Sequence, residues 1–404
     1  MAGIFRGQGR SIARALLPAL LLVVLACPAA RAQLYEQPVL VVDPGMHTAP
    51  IRDVGVDAAG RIAVTGADDK TLRVWSLPDG ALLRTIRMPA GPGNIGKIFA
   101  VAVSPDGALV AAGGWTQWST SAPGYAIDVF ETQTGKMAAR IAGPPTSIMS
   151  LALSPDGRYL AVGHAGTAGL RVYDRQQQWS EAFRDTDYGA EIYGVTFSAD
   201  GRLATTSYDG KVRLYDRAFR LVVPPQNVTG GRWPFRIAFS PDGVSLAVGY
   251  ADAPTVDLLD GHSLAPLPRP NLDGLGKGSL RVVTWSSDGR TLYAGGAYND
   301  GTICEVLAWE DAGRGARLAL PATNNSVMAL AALPDDRLLV ATADPFLELL
   351  EPDGRHRWAH SSPNADFRYQ RDRLAVSADG AIVDFGFEVR GKSPLRFDLR
   401  ARAS

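Results

Sequence analysis

Cysteine is almost missing from this chain. Only Cys27 and Cys304 occur in 404 residues, and cleavage of an N-terminal leader would leave Cys304 without an intrachain partner. A charge of one sign is missing too, since 41 basic residues stand against 41 acidic ones. The first 32 residues hold Arg6, Arg10, Arg14 and Arg31 but no acid, so the remainder is about four charges acidic. That balance argues against a nucleic-acid-binding stripe. No G-x-S-x-G elbow is present. His47, His164, His262, His356 and His360 lack the i, i+4 spacing of a zinc protease. No catalytic residue, metal set or cofactor motif is therefore identified. Gly91 to Lys97 nearly spells a phosphate loop, but Ile98 stands where Ser or Thr must reach magnesium, and an apolar strand follows instead of a helix.

Long apolar runs are confined to the N-terminus. Ala15 to Ala26, ALLPALLLVVLA, follows three arginines and is too short to span a bilayer. Ala30-Arg31-Ala32 offers a small-x-small cleavage site, so residues 1–32 are expected to be an export signal and 33–404 the mature protein, periplasmic or secreted. The alternative is a lipoprotein box ending at Cys27, with Leu25 a poor match at its second position.

What the chain has in quantity is turns and apolar alternation. It contains 43 Gly and 27 Pro, with 46% hydrophobic and 20% charged residues, a globular composition rich in reversals. From His47 to Trp75 three strands run in series: IRDVGV, the turn DAAG, RIAVTG, the turn ADDK, and TLRVW. The first turn recurs as SPDG at 104–107, SPDG at 154–157, SADG at 198–201, SPDG at 240–243, SSDG at 286–289, LPDD at 333–336 and SADG at 377–380. Pro presets the reversal, Asp bonds its own downstream backbone, and Gly supplies positive φ. Eight copies spaced by about 42 to 50 residues fit four-stranded propeller blades. The third strands carry Arg73, Asp128, Arg171, Arg213, Asp257 and Arg396 between apolar neighbours, expected to mark a solvated side.

These residues resemble a WD40 repeat. The resemblance implies an all-β fold with a single propeller, and within the first copy it implies a hydrogen-bonded chain of His47, Thr65, Asp69 and Trp75. The fourth copy offers Thr205, Asp209 and Tyr215 but no matching histidine. Eight blades are expected, with the strand at 37–42 (QPVLVV) closing the ring; seven is the alternative, if the divergent last copy packs outside it. Segments such as GKIFAVAVSPDG and YDGKVRLYDRAFRL also look like the propeller region of bacterial WD40 proteins, some of which carry a caspase-like peptidase domain. The sequence offers no counterpart of that domain.

A binding face is expected where the loops entering each blade meet those joining second and third strands. Trp115, Trp118, Tyr125, Tyr188, Tyr208, Tyr250 and Tyr298 fall in or near these loops, and aromatic side chains give large contact area at low entropic cost. Trp115 and Trp118 could equally fold back over their own blade. Two functions follow: a monomeric, non-catalytic exported scaffold that binds another protein, or a propeller hydrolase or lactonase whose carboxylates meet at the channel around a calcium ion. Asp68, Asp69, Asp128, Asp209, Asp252 and Asp300 are the carboxylates whose convergence separates them.

Overall fold

The computed structural model describes residues 43–117, 124–299, 303–323, 325–361, 374–385 and 395–400. Seven four-stranded antiparallel sheets follow one another at 51–87, 98–142, 148–185, 192–227, 234–267, 282–323 and 327–361, each paired in chain order. The recurring turn builds each first hairpin. In the second blade Ser104 Oγ donates to Asp106 at 2.5 Å and accepts from Leu109 N at 2.9 Å, while Gly107 takes φ 72°. The same serine-aspartate pair recurs at Ser154, Ser198, Ser240, Ser286 and Ser377.

A blade buries its faces only against its neighbours. Val64, Leu72 and Val74 of the first blade share a core with Ile98, Val101 and Val110 of the second, each such side chain contributing about 1.5–3 kcal/mol. The first strand of every blade packs against the first strand of the next, and that of the seventh against that of the first. These innermost strands line the axis.

Seven blades, not eight, make the ring. Ile51, Ala63, Trp75 and Leu77 of the first blade form one core with Leu339, Leu347 and Leu349 of the seventh. Trp358 Nε1 donates to Leu77 O at 2.9 Å, and the His360 ring stacks on Trp75 with centroids 5.1 Å apart. Both apolar faces are consumed at this seam, so none is left for an intervening sheet. The eighth copy instead folds as a separate three-stranded sheet of Leu374–Val376, Ile382–Phe385 and Leu395–Asp398. The strand expected to close the ring, 37–42, lies outside the described residues, as does the whole proposed leader. Among the described residues no helix is long and apolar enough to cross a membrane.

The third-strand charges also depart from expectation. Arg73, Asp128, Arg213 and Asp257 are buried, with 5% exposure or less. Each third strand lies between two others with a neighbouring blade over it, so these groups must be paired. Asp128 takes a bidentate bond from Arg140 of the fourth strand at 2.6 and 2.7 Å, and Asp257 accepts from Arg269 at 2.6 Å. Arg73 reaches Asp43 at 2.7 Å, and Arg213 reaches Asp209 at 2.8 Å. Arg396, in the sheet outside the ring, is the exposed one of the set and pairs with Asp384.

Candidate functional site at the channel mouth

Six innermost strands open on a buried apolar residue, Ile51, Ile98, Ile148, Ile192, Pro234 and Val327, and in blade six the buried Leu280 stands two residues before the strand that starts at Val282. The next residue is skipped by the ladder. Pairing slips between the first and third positions in blades one, two, three, four and seven, and between Pro234 and Ile237 in blade five. In blade six Leu280 bridges Tyr250 of the preceding blade, and pairing within the blade starts at Val282. A bulge at this point turns its side chain out of the alternation. The skipped residues are Arg52, Phe99, Met149, Tyr193, Phe235 with Arg236, and Met328, and Arg281 holds the corresponding place just before the ladder of blade six.

These residues meet across blade boundaries. The Arg52 guanidinium lies 5.9 Å from the Phe99 ring centre, Tyr193 stacks on Phe235 at 4.7 Å, and the Arg281 guanidinium lies 5.7 Å from the Phe235 ring centre. Arg281 also reaches Met328 Sδ and donates to Val327 O at 3.4 Å. One residue further along the strands, Arg236 of blade five crosses the channel. It meets Asp53 of blade one at 2.7 Å and Ser150 of blade three at 3.3 Å, and Asp53 accepts in turn from Val101 N of blade two at 2.9 Å. The mouth is thus a collar of aromatic, thioether and guanidinium groups above a polar crossbar.

Its charges are unevenly compensated. Arg52 is held bidentately by Asp68 at 2.8 and 2.7 Å, and Arg236 by Asp53. Arg281 has no carboxylate within ion-pairing distance among the described residues. Burial, followed by repulsion from Arg52, lowers its pKa to about 10. Beside it stands an aromatic shoulder. Tyr208 lies 4.4 Å from Tyr193 and stacks on Trp233 at 5.8 Å, and Trp233 is 41% exposed. Asp252 holds the turn beneath by accepting from Arg232 N at 2.9 Å and Trp233 N at 3.1 Å.

In blade one, His47 Nδ1 lies 3.0 Å from Asp69 and Nε2 lies 2.7 Å from Thr65 Oγ1, which also accepts from Trp75 Nε1 at 2.9 Å. Residues 41–76, 135–174 and 183–216 match the family model described as WD domain, G-beta repeat. The chain carries WD40 repeats. It is 27% identical over 180 residues to the WD repeat-containing protein SL1-17 of Schistosoma mansoni, a match covering 44% of this chain and 54% of that protein. It is 28% identical over 187 residues to telomerase protein component 1 of Rattus norvegicus, covering 44% of this chain and 6% of the relative. Transducin beta-like protein 2 of Homo sapiens is 25% identical over 215 residues, with 51% and 37% covered. The chain thus spans little more than half the length of these relatives, or much less.

A second WD40 hydrogen-bond chain occupies blade four, with a tyrosine in the histidine's place. Tyr188 OH lies 2.8 Å from Thr205 Oγ1 and 2.9 Å from Tyr215 OH, Tyr215 donates to Asp185 at 2.7 Å, and the Arg213 guanidinium lies 3.8 Å from the Tyr188 ring centre. Tyr188 precedes its innermost strand by the same four residues as His47, a spacing visible in the sequence.

Several residues assigned to the binding face are not on it. Tyr188, Tyr250 and Tyr298 are 4%, 0% and 8% exposed, and so belong to the blade cores. Tyr250 OH donates to Asp257 at 2.5 Å, and Tyr298 packs with Leu280 and Trp309. Trp115 stands edge-on to Tyr125 at 6.1 Å, both partly buried over the second blade, while Trp118 lies outside the described residues. Tyr208 is the one that joins the collar. Conversely, Arg52, Phe99, Tyr193 and Phe235 were not singled out from sequence, because strict alternation assigns a skipped residue to the wrong side, and Trp233 and Arg281 were not because they stand just outside their strands, where no pattern marks them.

The carboxylates have local roles. Asp209 accepts from Gly189 N and Lys211 N besides Arg213, Asp252 from Arg232 N and Trp233 N of the loop entering its blade, and Asp68 from Arg52. Asp300 lies outside the described residues. Among the described residues no three of His, Cys, Asp or Glu are grouped to hold a metal ion.

Proposed function

We propose that this chain is an exported, non-catalytic WD40 scaffold that binds another protein across the mouth of its channel. The observation that carries the reading is the aromatic shoulder, Trp233 stacked on Tyr208 and Tyr208 tilted against Tyr193, which keeps the partly exposed Trp233 ring in water beside the arginines of the mouth. Trp, Tyr and Arg are the residue types that dominate interface energetics. The WD repeats of the Schistosoma mansoni relative agree with this class of role. Export rests on the basic n-region, the short apolar stretch and the Ala30-Arg31-Ala32 site.

Crosslinking with mass spectrometry in the native envelope tests it, comparing the wild type with Tyr208→Ala plus Trp233→Ala. A partner captured by the wild type and lost from the folded variant is the expected result. Equal capture by both would place the interface elsewhere and sink the reading of this face. N-terminal sequencing of the exported form should begin at Gln33; a lipidated Cys27 would replace cleavage before Gln33 with membrane anchoring.

A further inference from the structure

We propose that the channel mouth accepts a carboxylate side chain of a partner peptide, seated against Arg281 with an apolar or aromatic neighbour on the Tyr208–Trp233 shoulder. This rests on the interaction reading above and names the chemistry of the partner. Three guanidinium groups, from Arg52, Arg236 and Arg281, border the throat, and two of them have a carboxylate of their own, Asp68 and Asp53. The third is held by a carbonyl at 3.4 Å, a thioether and an aromatic ring. A partly buried guanidinium without a counter-ion is costly, and an incoming carboxylate restores it with a planar bidentate pair.

Position decides where the acid must sit. Burial, followed by Tyr193, raises the pKa of Tyr208; of its charged neighbours Arg281 acts against that rise, and the acidic groups Asp252 and Glu191 add to it more weakly. An acidic residue beside Asp252 or Glu191 would be repelled, and one reaching Arg281 would be attracted. The arrangement therefore favours an acidic side chain that projects from a peptide whose apolar neighbour stays on Trp233. Basic and neutral side chains gain nothing at Arg281.

The whole protein, immobilised and offered a random twelve-residue peptide library, should enrich Asp or Glu next to aromatic or large aliphatic residues. For an enriched peptide, titration calorimetry should show roughly thirtyfold weaker binding to Arg281→Met, and a similar loss when the peptide's Glu is replaced by Gln. Arg281→Lys should restore part of the affinity. Arg281→Met should fold with thermal stability equal to or above that of the wild type, because it removes a cation beside Arg52; if it does not fold, Arg281→Lys and the Glu-to-Gln peptide carry the comparison. Enrichment of neutral or basic peptides, or equal binding by the wild type and Arg281→Met, would overturn the carboxylate assignment. A native partner lost from the Tyr208 and Trp233 variant but retained by Arg281→Met would do the same while leaving the interaction reading intact. A peptide bound only when phosphorylated would replace the carboxylate with a phosphate.

Discussion

Thr65 shows how much one hydroxyl holds. It accepts from Trp75 at 2.9 Å and lies 2.7 Å from His47, so Thr65→Val leaves two buried nitrogen atoms without a partner. Trp75→Phe removes one donor and leaves Thr65 with His47. An unsatisfied buried group costs about 1–3 kcal/mol and a lost bond about 0.5–1.5 kcal/mol, so urea unfolding should find Thr65→Val the more destabilising. Acid is expected to act on the same chain. Burial by itself would raise the Asp69 carboxyl, but the charge on His47 and bonds from His47, Thr71 and Thr48 prevail and hold it at about 2, below its ordinary 3.8. A lowered carboxyl stabilises the fold above its unfolded value and loses that contribution as pH falls through its folded value. The stability advantage of the wild type over Asp69→Asn should therefore shrink between about pH 4 and pH 2 in acid titrations followed by circular dichroism.

Between elements, the blades meet through glycine. A Cβ on Gly113 in the second blade would come within 2.6 Å of Ile148 Cγ2, and one on Gly66 within 2.6 Å of Ile98 Cγ2. Each glycine lets a second strand lie flat against the residue that opens the next innermost strand. Blade four has Thr206 there, and it donates to Phe235 O at 2.5 Å, exchanging close packing for a hydrogen bond. Gly113→Ala should cost about 1–3 kcal/mol by overpacking, read as a lower denaturation midpoint with an unchanged slope. The same seam places the bulges, so closing two blades together also aims the collar side chains at the mouth.

At the scale of the molecule, the closing seam decides the blade number. Trp358 joins the core shared by the first and seventh blades and bonds Leu77 O, so Trp358→Ala should cost about 3–5 kcal/mol and lower the unfolding temperature of the whole ring. Removal of residues 374–404, which hold the separate three-stranded sheet, should leave that temperature nearly unchanged in calorimetry. A large drop on truncation would mean that the eighth copy supports the ring after all.

The repeat, its turns and the strand order within each blade were legible in the sequence, because each depends on near neighbours and on turn chemistry that only Gly, Pro, Asp and Ser supply, and the His47 chain was legible only through the resemblance to a WD40 repeat. The blade number was not, since a copy that can form a blade need not find a free apolar face in the ring. Burial of Tyr188, Tyr250, Tyr298 and the third-strand charges depended on the neighbouring blade, which no local pattern contains. The collar was the least legible. Alternation assigns each strand residue a side, and the bulges that re-aim Arg52, Phe99, Tyr193 and Phe235 exist only where an innermost strand pairs with its own blade while packing against the next, while Arg281 is placed by the bridge of Leu280 to the preceding blade.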